Sequence, residues 1–264
     1  MAGGYGMQRF VKTFVVPLLG GKRWRSVCEI GASLGEGTGM LASVPQVRVT
    51  VIDPCLDCDL GKKFAGNALV SVKKATSLEI LPKLDGAFDC ILIDGDHNWY
   101  TVYQELKTIS GRQLLRPGGI VFFHDVDWPW GRRDMYYQPE IIPPEYVHDW
   151  KLQGIARGKS EVSEEIPTLA YLKKASHEGG ERNGVLTAIE DFLKEHRGQY
   201  RFFRVRAGVG LGVMQYRGGF RDRLTFLFLE LKGVACNLAI WIRQLIKPLP
   251  SGLLGEDFPS ARTP

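Results

Sequence analysis

Short apolar runs alternate with more polar segments along the first half of the chain. The runs end near Ile30, Ile52, Val72, Ile93 and Phe123. Each run is brief and continuous, which is typical of a strand buried on both faces of a parallel sheet. The segments between them contain turn residues or apolar positions at helical spacing. The pattern therefore predicts five strand–helix units and an α/β fold.

Further elements are predicted on either side of these units. Residues 6–19 present one apolar face and are expected to form a helix that covers the site or flanks the sheet. Residues 114–119 contain Pro and two Gly residues, which predict a turn before the fifth strand. Asn183 is expected to cap a helix over 184–197. Two strands around a glycine-containing turn predict a hairpin over 200–216.

The regular alternation ends after the fifth strand. Residues 128–182 are rich in proline, aromatic and charged residues, and we expect them to be an insertion of the lid or binding-loop type within a domain of residues 1–219. Residues 220–247 form a long apolar helical stretch with basic flanks. We expect a partner subunit to cover it, as in a homodimer, or alternatively a membrane surface. The helix is assigned to 220–249, and 250–264 is predicted to be a disordered tail.

Composition narrows the class of protein. The chain has 264 residues with ordinary hydrophobic and charged fractions. Its net charge is only +5, and the basic excess lies in the last third. This distribution of charge argues against a dedicated nucleic-acid surface. Five irregularly placed cysteines indicate reduced thiols and therefore a cytoplasmic location. A location at the membrane periphery is the alternative. Cys55-x-x-Cys58 lacks a second pair and is interpreted as structural. Pro17 breaks the apolar run near the start, so no signal peptide is predicted.

A glycine-rich turn joins the first strand to the next helix. Gly31 and Gly35 permit a positive φ and the close approach of a ligand to the main chain. The backbone N–H groups in the first turn of the following helix are unpaired and can donate hydrogen bonds to a ligand. The Gly-x-x-x-Gly spacing differs from the G-x-G-x-x-G of dinucleotide-binding turns, and Glu29 precedes it. This combination predicts a ligand without a pyrophosphate that carries positive charge.

Polar residues also follow the second and third strands. Asp53 comes directly after strand two, where an acidic residue in an open α/β sheet typically binds ribose hydroxyls. Its alternative role is that of a turn residue before Pro54. Ser77 follows strand three and is expected near the edge of an adenine ring, or alternatively as a helix N-cap.

Acidic and histidine side chains follow strands four and five. Asp94, Asp96 and His97 come after strand four, and His124 and Asp125 after strand five. Adjacent strands lie about 4.8 Å apart, so these groups can converge. We expect Asp94, His97 and His124 to be catalytic, and Asp94, Asp125 and His124 to bind Mg²⁺, which would lower the pKa of a bound hydroxyl. In the metal-free alternative, His97 or His124 is the general base.

These motifs together resemble a class I S-adenosylmethionine-dependent methyltransferase over roughly residues 20–127. The residues that establish the resemblance are Glu29, Gly31, Gly35, Asp53 and Asp94. Ile93-Asp-Gly-Asp-His97 with the later His124-Asp125 is similar to small bacterial O-methyltransferases of sugar and natural-product biosynthesis. The resemblance implies a Rossmann-like doubly wound sheet of seven strands in the order 3-2-1-4-5-7-6. The last strand would be antiparallel, with a lid-like insertion and a C-terminal helical extension.

The resemblance also implies roles for individual residues. S-adenosylmethionine would contact the residues Glu29, Gly31, Ala32, Gly35, Asp53, Ser77 and Asp94. The main chain from Gly31 to Gly35 would hold its methionine part, Glu29 would orient that loop or the amino group, and Asp53 would bind the ribose. The methyl group would pass to a hydroxyl oxygen of a small acceptor, expected to be a sugar or glycosylated metabolite.

Two other functions and one further acceptor contact stay open. The chain is alternatively a non-catalytic cofactor-binding adaptor docked through 220–247, or a nicotinamide-dependent oxidoreductase, which the glycine spacing disfavours. The aromatic and basic residues that follow strand five are expected to hold the acceptor, or equally to pack the insertion over the core. They are Trp128, Trp130, Arg132, Arg133, Asp134, Tyr136 and Tyr137.

Overall fold

The computed structural model describes residues 6–21, 23–55 and 58–246. The expected disordered tail at 250–264 and the end of the helix assigned to 220–249 lie outside the described residues.

Ten strands lie within the described residues. They are β1 (Ser26–Ile30), β2 (Arg48–Ile52), β3 (Val70–Lys73), β4 (Phe88–Ile93), β5 (Leu115–His124), β6 (Met135–Tyr136), β7 (Trp150–Lys151), β8 (Lys173–Ala175), β9 (Tyr200–Val205) and β10 (Leu211–Tyr216). Seven of them form one sheet in the order β3-β2-β1-β4-β5-β10-β9. Strands β1 to β5 pair in parallel, and β10 is antiparallel to both β5 and β9. Numbered within the sheet, this is the predicted order 3-2-1-4-5-7-6 with a reversed last strand, so the predicted fold is confirmed.

Helices cover both faces of this sheet. The α-helices are α1 (Met7–Phe10), α2 (Val16–Gly20), α3 (Glu36–Ala42), α4 (Leu60–Phe64), α5 (Ser77–Ile80), α6 (Trp99–Gly111), α7 (Val185–Glu195) and α8 (Phe220–Ile246). A π-helical segment, Val11–Val15, joins α1 to α2, so residues 7–20 form the continuous opening helix that the sequence predicted. Single 3₁₀ turns occur at Leu81–Lys83, Pro139–Ile141 and Pro144–Tyr146.

Alternate residues of the central strands enter two different cores. Ile91 and Ile93 of β4 pack on the side of α6 and α7, whereas Cys90 and Leu92 pack on the side of the opening helix and α8. All four are buried. Because both faces are covered, the strand has no polar alternation, which explains the continuous apolar runs in the sequence.

The predicted turn at 114–119 is wrong. Strand β5 already begins at Leu115, which pairs with Phe88, and the register then shifts so that Ile120 pairs with Cys90. The intervening residues form a bulge in which Gly118 has a φ of +82°. Turn-forming residues therefore interrupt the pairing without ending the strand.

The predicted cap at Asn183 is also wrong. Helix α7 begins at Val185 with Gly184 as the N-cap. The Asn183 side chain instead accepts a hydrogen bond from the backbone N–H of Asp134 (2.6 Å) and donates to the carbonyl of Gly179 (2.8 Å). These bonds stabilise the insertion, since Asp134 and Gly179 both belong to it.

The described insertion, residues 128–182, contains a small sheet of its own. Its strands lie in the order β6-β8-β7 and pair antiparallel. The backbone N–H of Met135 donates to the carbonyl of His97 (3.0 Å), which fixes this sheet to the segment that follows β4. The insertion therefore contacts the carboxyl end of the main sheet directly.

Helix α8 packs one side against the main sheet. Phe226 and Leu229 are buried, and the Phe226 ring contacts Phe203 of β9 with ring centroids 5.2 Å apart. Within the part of the chain that the structure describes, no helix combines the length and the apolar content needed to cross a bilayer.

Replacing Gly31 by alanine is expected to lower the free energy of unfolding by about 2 kcal/mol or more. Gly31 has a φ of +79°, and a Cβ there would lie 2.2 Å from the carbonyl oxygen of Asp94. Gly39→Ala is the matched control, since nothing lies within 4 Å of its added Cβ. That variant should be as stable as the wild type or up to about 1 kcal/mol more stable. Urea denaturation of both variants measures the difference, and equal stabilities would contradict the contact.

Candidate functional site at the ends of strands β4 and β5

Four side chains converge where β4 and β5 end. Asp94 follows β4, while His124 ends β5 and Asp125 follows it. The two strands pair in parallel with Ile93 opposite Phe123, so the residues after them share one edge of the sheet. One ligand atom from each of Asp94, His97, His124 and Asp125 lies within 4.8 Å of the others. We call this group the carboxylate–imidazole cluster. The convergence that the sequence predicted is present.

Each imidazole of the cluster contacts both carboxylates. His97 Nε2 lies 2.9 Å from Asp125 Oδ2 and 3.7 Å from Asp94 Oδ1. His124 Nδ1 lies 2.6 Å from Asp125 Oδ2 and 2.9 Å from Asp94 Oδ1. Asp125 has a φ of +57°, a left-handed conformation that few residues other than Gly, Asn and Asp adopt readily. This conformation brings the Asp125 carboxylate between the two rings.

The ion pairs dominate the protonation of the cluster. Burial alone would lower the pKa of His97, but the charges of Asp125 and Asp94 outweigh it and raise the pKa to about 10. The pKa of His124 rises to about 11 because Asp94 and Asp125 outweigh burial in the same way. Burial opposes ionisation of both carboxyl groups, yet the imidazolium charges leave the pKa of Asp94 and that of Asp125 below the usual value.

Both imidazoles therefore hold a proton near neutral pH. A protonated imidazole cannot accept a proton from a substrate hydroxyl. This protonation disfavours the metal-free alternative, in which His97 or His124 is the general base.

Two aromatic rings flank the cluster. Phe10 of α1 lies edge-on to His124 with ring centroids 6.0 Å apart. Tyr137 of the insertion lies 6.3 Å from the His97 ring and is 55% exposed. The opening helix and the insertion thus form two walls of the site, and the contact of Phe10 agrees with one of the two roles expected of residues 6–19, that of covering the site.

The glycine loop, residues 31–35, begins beside the cluster. The N–H of Asp94 donates to the carbonyl of Ile30 (2.9 Å), and the Cα of Gly31 lies against the Asp94–Gly95 backbone. At the other end Gly35, with a φ of +75°, is the N-cap of α3. A Cβ on Gly35 would contact Leu60 and Phe64, so this glycine is required for packing against α4.

Asp53 holds the glycine loop in shape. Its Oδ2 accepts hydrogen bonds from the N–H groups of Ala32 (2.7 Å) and Ser33 (3.0 Å), and its Oδ1 accepts one from Cys55 (2.6 Å). The residue is 8% exposed. A carboxylate offers about four acceptor sites, so further bonds to a ribose require at most a small rearrangement. Asp53 is thus observed to bind the amides of the glycine loop, and its binding of a ribose stays a prediction.

Glu29 of β1 forms a hydrogen bond with α3, the helix that follows the glycine loop. Its Oε2 accepts a hydrogen bond from the Thr38 hydroxyl (2.5 Å). Burial raises the pKa of Glu29 to about 8, although the Thr38 bond opposes the rise. The observed bond joins β1 to α3, and the two roles expected of Glu29, toward the loop or toward the amino group of the donor, stay predictions.

Ser77 does not cap its helix. The N-cap of α5 is Thr76, which forms a reciprocal capping box with Glu79, and Ser77 is the first helical residue. The capping alternative for Ser77 is therefore wrong. Its position near an adenine ring stays a prediction.

Glu105 is a buried acidic residue that the sequence analysis missed. It lies on the buried side of α6, and the Ser77 side chain of α5 is the hydrogen-bonding group that faces it. Burial raises its pKa to about 8. The available signal was its position on the apolar face of α6 with Val102 and Ile109.

Most of the aromatic and basic residues after β5 pack the insertion. Trp130, Arg133 and Tyr136 are buried, and Arg133 donates to the carbonyl of Ala175 (2.5 Å). Arg132 forms two 2.7 Å hydrogen bonds with the Glu190 carboxylate. The expectation that this group holds the acceptor is wrong for these buried residues, and the packing alternative applies to them. Tyr137 lies beside the cluster, with its ring 6.3 Å from that of His97.

Comparison with protein families identifies the central segment. Residues 28–126 match the family described as a methyltransferase domain. The matched segment contains most of β1, all of β2 to β5, the glycine loop and the whole carboxylate–imidazole cluster. The resemblance to methyltransferases predicted from the sequence is confirmed over this segment. No protein of curated function matches the chain in sequence.

Solved structures resemble the chain at low identity. The SAH-bound methyltransferase PaMTH1 of Podospora anserina has 15% identity and a TM-score of 0.49, covering 76% of each chain. The O-methyltransferase TomG of Streptomyces achromogenes, involved in tomaymycin synthesis and solved with SAM, has 16% identity and a TM-score of 0.46. That match covers 78% of this chain and 79% of TomG. Likeness at this level does not identify an acceptor.

Proposed function

Because residues 28–126 match a methyltransferase domain, we propose that the protein transfers a methyl group from S-adenosylmethionine to a hydroxyl oxygen of a small acceptor. The proposal depends above all on the contact between Gly31 and the Asp94 backbone, since it places the loop expected to hold the donor beside the carboxylate–imidazole cluster. The acceptor class proposed is a sugar or glycosylated metabolite.

The donor side of the site is acidic, which suits a sulfonium cation. Asp53 follows β2 and Asp94 follows β4, and these two strands flank β1 in the sheet. Asp53 fixes the amides of Ala32 and Ser33, so the loop is ordered before a ligand arrives. In the reaction, a lone pair of the acceptor oxygen attacks the methyl carbon and the bond from methyl to sulfur breaks. The hydroxyl proton passes to a water molecule, the electron pair of the broken bond stays on sulfur, and the sulfonium becomes a neutral thioether.

The acceptor side is assigned to the cluster and its two walls. Asp94 would orient the acceptor hydroxyl toward the methyl group, because alignment of the reacting atoms supplies much of the rate of such a displacement. The exposed ring of Tyr137 would pack against a flat or sugar acceptor. Phe10 would limit the access of water beside His124.

The cluster also fits a divalent cation. Two imidazole nitrogens and two carboxylate oxygens, within 4.8 Å of one another, offer a complete mixed donor set. Mg²⁺ prefers oxygen ligands alone, whereas imidazole favours transition ions. We therefore extend the proposal to a transition ion held by Asp94, His97, His124 and Asp125, with Mg²⁺ as the alternative. A bound ion would supply a lowered pKa for the acceptor hydroxyl.

Metal binding is expected to release protons. Both imidazoles hold a proton near neutral pH because their pKa values are raised, and each must lose it to become a ligand. The affinity for Mn²⁺ should therefore rise as the pH increases from about 7 toward 10. Calorimetry in two buffers of different ionisation enthalpy should count about two protons released per ion.

His97→Gln provides the control for this count. The variant should release about one proton per Mn²⁺, because one protonated imidazole remains at His124. Tight binding of Mg²⁺ without proton release would show instead that carboxylate oxygens alone hold the ion.

The proposed function is tested by donor binding and methyl transfer. Titration calorimetry should detect binding of S-adenosylmethionine and not of NAD. Methyl-labelled donor is then incubated with a panel of sugars, glycosylated metabolites and catechols, with Mn²⁺, with Mg²⁺ or with a chelator. The label should appear in an ether product. Donor binding with no transfer to any acceptor would favour the adaptor alternative, and NAD binding would favour an oxidoreductase.

A further inference from the structure

Helix α8 has a second side that no described residue covers. On the packed side, Phe226, Leu229 and Gly233 lie against the main sheet, and a Cβ on Gly233 would contact Phe203 and Val205. The opposite side presents large apolar side chains to solvent. They are Phe220, Leu224, Leu227, Phe228, Leu231, Val234, Leu238 and Ile242. We call these eight residues the apolar face of α8.

The apolar face is long and broad. It extends over about 33 Å from Phe220 to Ile242 at the rise of an α-helix, and it occupies an arc of about 120° around the helix. A two-stranded coiled coil uses a narrower seam of two positions in seven. Monomeric proteins rarely expose a contiguous apolar patch of more than a few hundred Å². A face of this extent therefore indicates an interaction surface.

Basic residues are concentrated in the sequence that leads into this face. Residues 197–223 contain seven arginines and one acidic residue, although the whole chain has a net charge of only +5. The acidic residue, Asp222, is buried and forms an ion pair with Arg23. Arg201 and Arg223 line a groove of about 540 Å³ together with Leu224, Leu227 and one acidic residue, Glu230. Cationic and apolar groups thus share one surface.

We propose that α8 lies in the interface of an anionic phospholipid bilayer, with its apolar face among the acyl chains and the arginines at the headgroups. This is the arrangement expected of an interfacial amphipathic helix whose polar border is basic. Anionic headgroups attract the basic residues next to the apolar face.

The distribution of charge argues against a second copy as the partner. Parallel pairing of two α8 helices would bring Arg221 and Arg223 of both copies together. Antiparallel pairing would bring the same two residues toward position 243 of the other helix, which is also an arginine in the sequence. Either arrangement places like charges together, and like charges in an interface are unfavourable.

Vesicle sedimentation of the full chain tests the proposal. The protein should sediment with phosphatidylcholine vesicles that contain phosphatidylglycerol, and not with phosphatidylcholine alone. The double variant Leu227→Glu/Leu231→Glu should weaken binding at least about tenfold, since charge on the apolar face opposes insertion. Arg221→Gln/Arg223→Gln should weaken binding to the anionic vesicles, and added salt should do the same.

Ile141→Glu is the matched control. Ile141 is an exposed apolar residue of the insertion, far in sequence from α8, and its variant should bind vesicles like the wild type. All altered side chains are exposed, so unfolding curves should show that every variant is folded. The proposal is overturned by no binding to anionic vesicles, by equal binding to neutral ones, or by full binding of the Leu227→Glu/Leu231→Glu variant. It is equally overturned by a dimer in light scattering that this variant dissociates, or by duplex nucleic acid binding in place of vesicles.

Discussion

Replacement of Asp94 by asparagine should reduce methyl transfer by a factor of about 10² to 10⁴ and weaken S-adenosylmethionine binding by no more than about tenfold. Asparagine keeps the size of the side chain but removes its negative charge. In the wild type that charge lies 2.9 Å from His124 Nδ1 and faces the position proposed for the acceptor hydroxyl. Turnover is measured with labelled donor, and affinity by calorimetry.

Asp96→Asn is the control for this variant. Asp96 lies two residues further along the chain, bonds to the Thr101 hydroxyl at 3.1 Å, and is not one of the four residues of the cluster. It should retain most of the activity. Full activity of the Asp94 variant would contradict the role assigned to the end of β4, even if the donor still binds.

Replacement of Asp134 by alanine should lower the free energy of unfolding by about 3–5 kcal/mol. Asp134 is fully buried, and its Oδ1 accepts hydrogen bonds from the N–H groups of Trp99 and Gly184, each at 2.7 Å. Its Oδ2 accepts one from the Tyr136 hydroxyl at 3.0 Å. Alanine leaves all three donors buried without an acceptor, and it releases the insertion from the starts of α6 and α7.

Chemical denaturation of two further variants separates this effect from a general sensitivity of the insertion. Asp134→Asn keeps an acceptor oxygen for the two N–H groups and should lose clearly less stability than Asp134→Ala. Asp149→Ala removes an exposed carboxylate of the same insertion and should change stability by less than about 0.5 kcal/mol. Equal stabilities of Asp134→Ala and Asp149→Ala would show that the three hydrogen bonds contribute little.

The sequence was most informative where burial alone decides the structure. Ile91 to Ile93 are apolar because both faces of β4 are covered, so the run predicts a central strand without knowledge of its neighbours. Once two such strands are parallel, the residues after them must share an edge. This is why the meeting of Asp94 with Asp125 could be predicted.

Features that depend on a single backbone angle were not predictable in this way. The left-handed φ of Asp125 places its carboxylate between two imidazoles, and no periodicity in the sequence signals it. The bulge around Gly118 looks like a turn because the same residues favour both. Asp53 accepts hydrogen bonds from the amides of Ala32 and Ser33 in a different loop, 21 and 20 residues earlier, and a motif read along the chain does not reveal this contact.

Two side-chain hydrogen bonds hold helix α8 in place, in addition to the packing of Phe226. Lys232 donates to the carbonyl of Thr13 at 2.5 Å, and Asn237 accepts from the N–H of Arg206 at 2.7 Å. Thr13 belongs to the same opening helical segment as Phe10, the residue beside His124. A chain shortened before residue 220 would therefore lose support for that segment as well as the helix itself. Activity measured on such a fragment would reflect a damaged wall of the site, so kinetic work on this protein calls for the intact polypeptide.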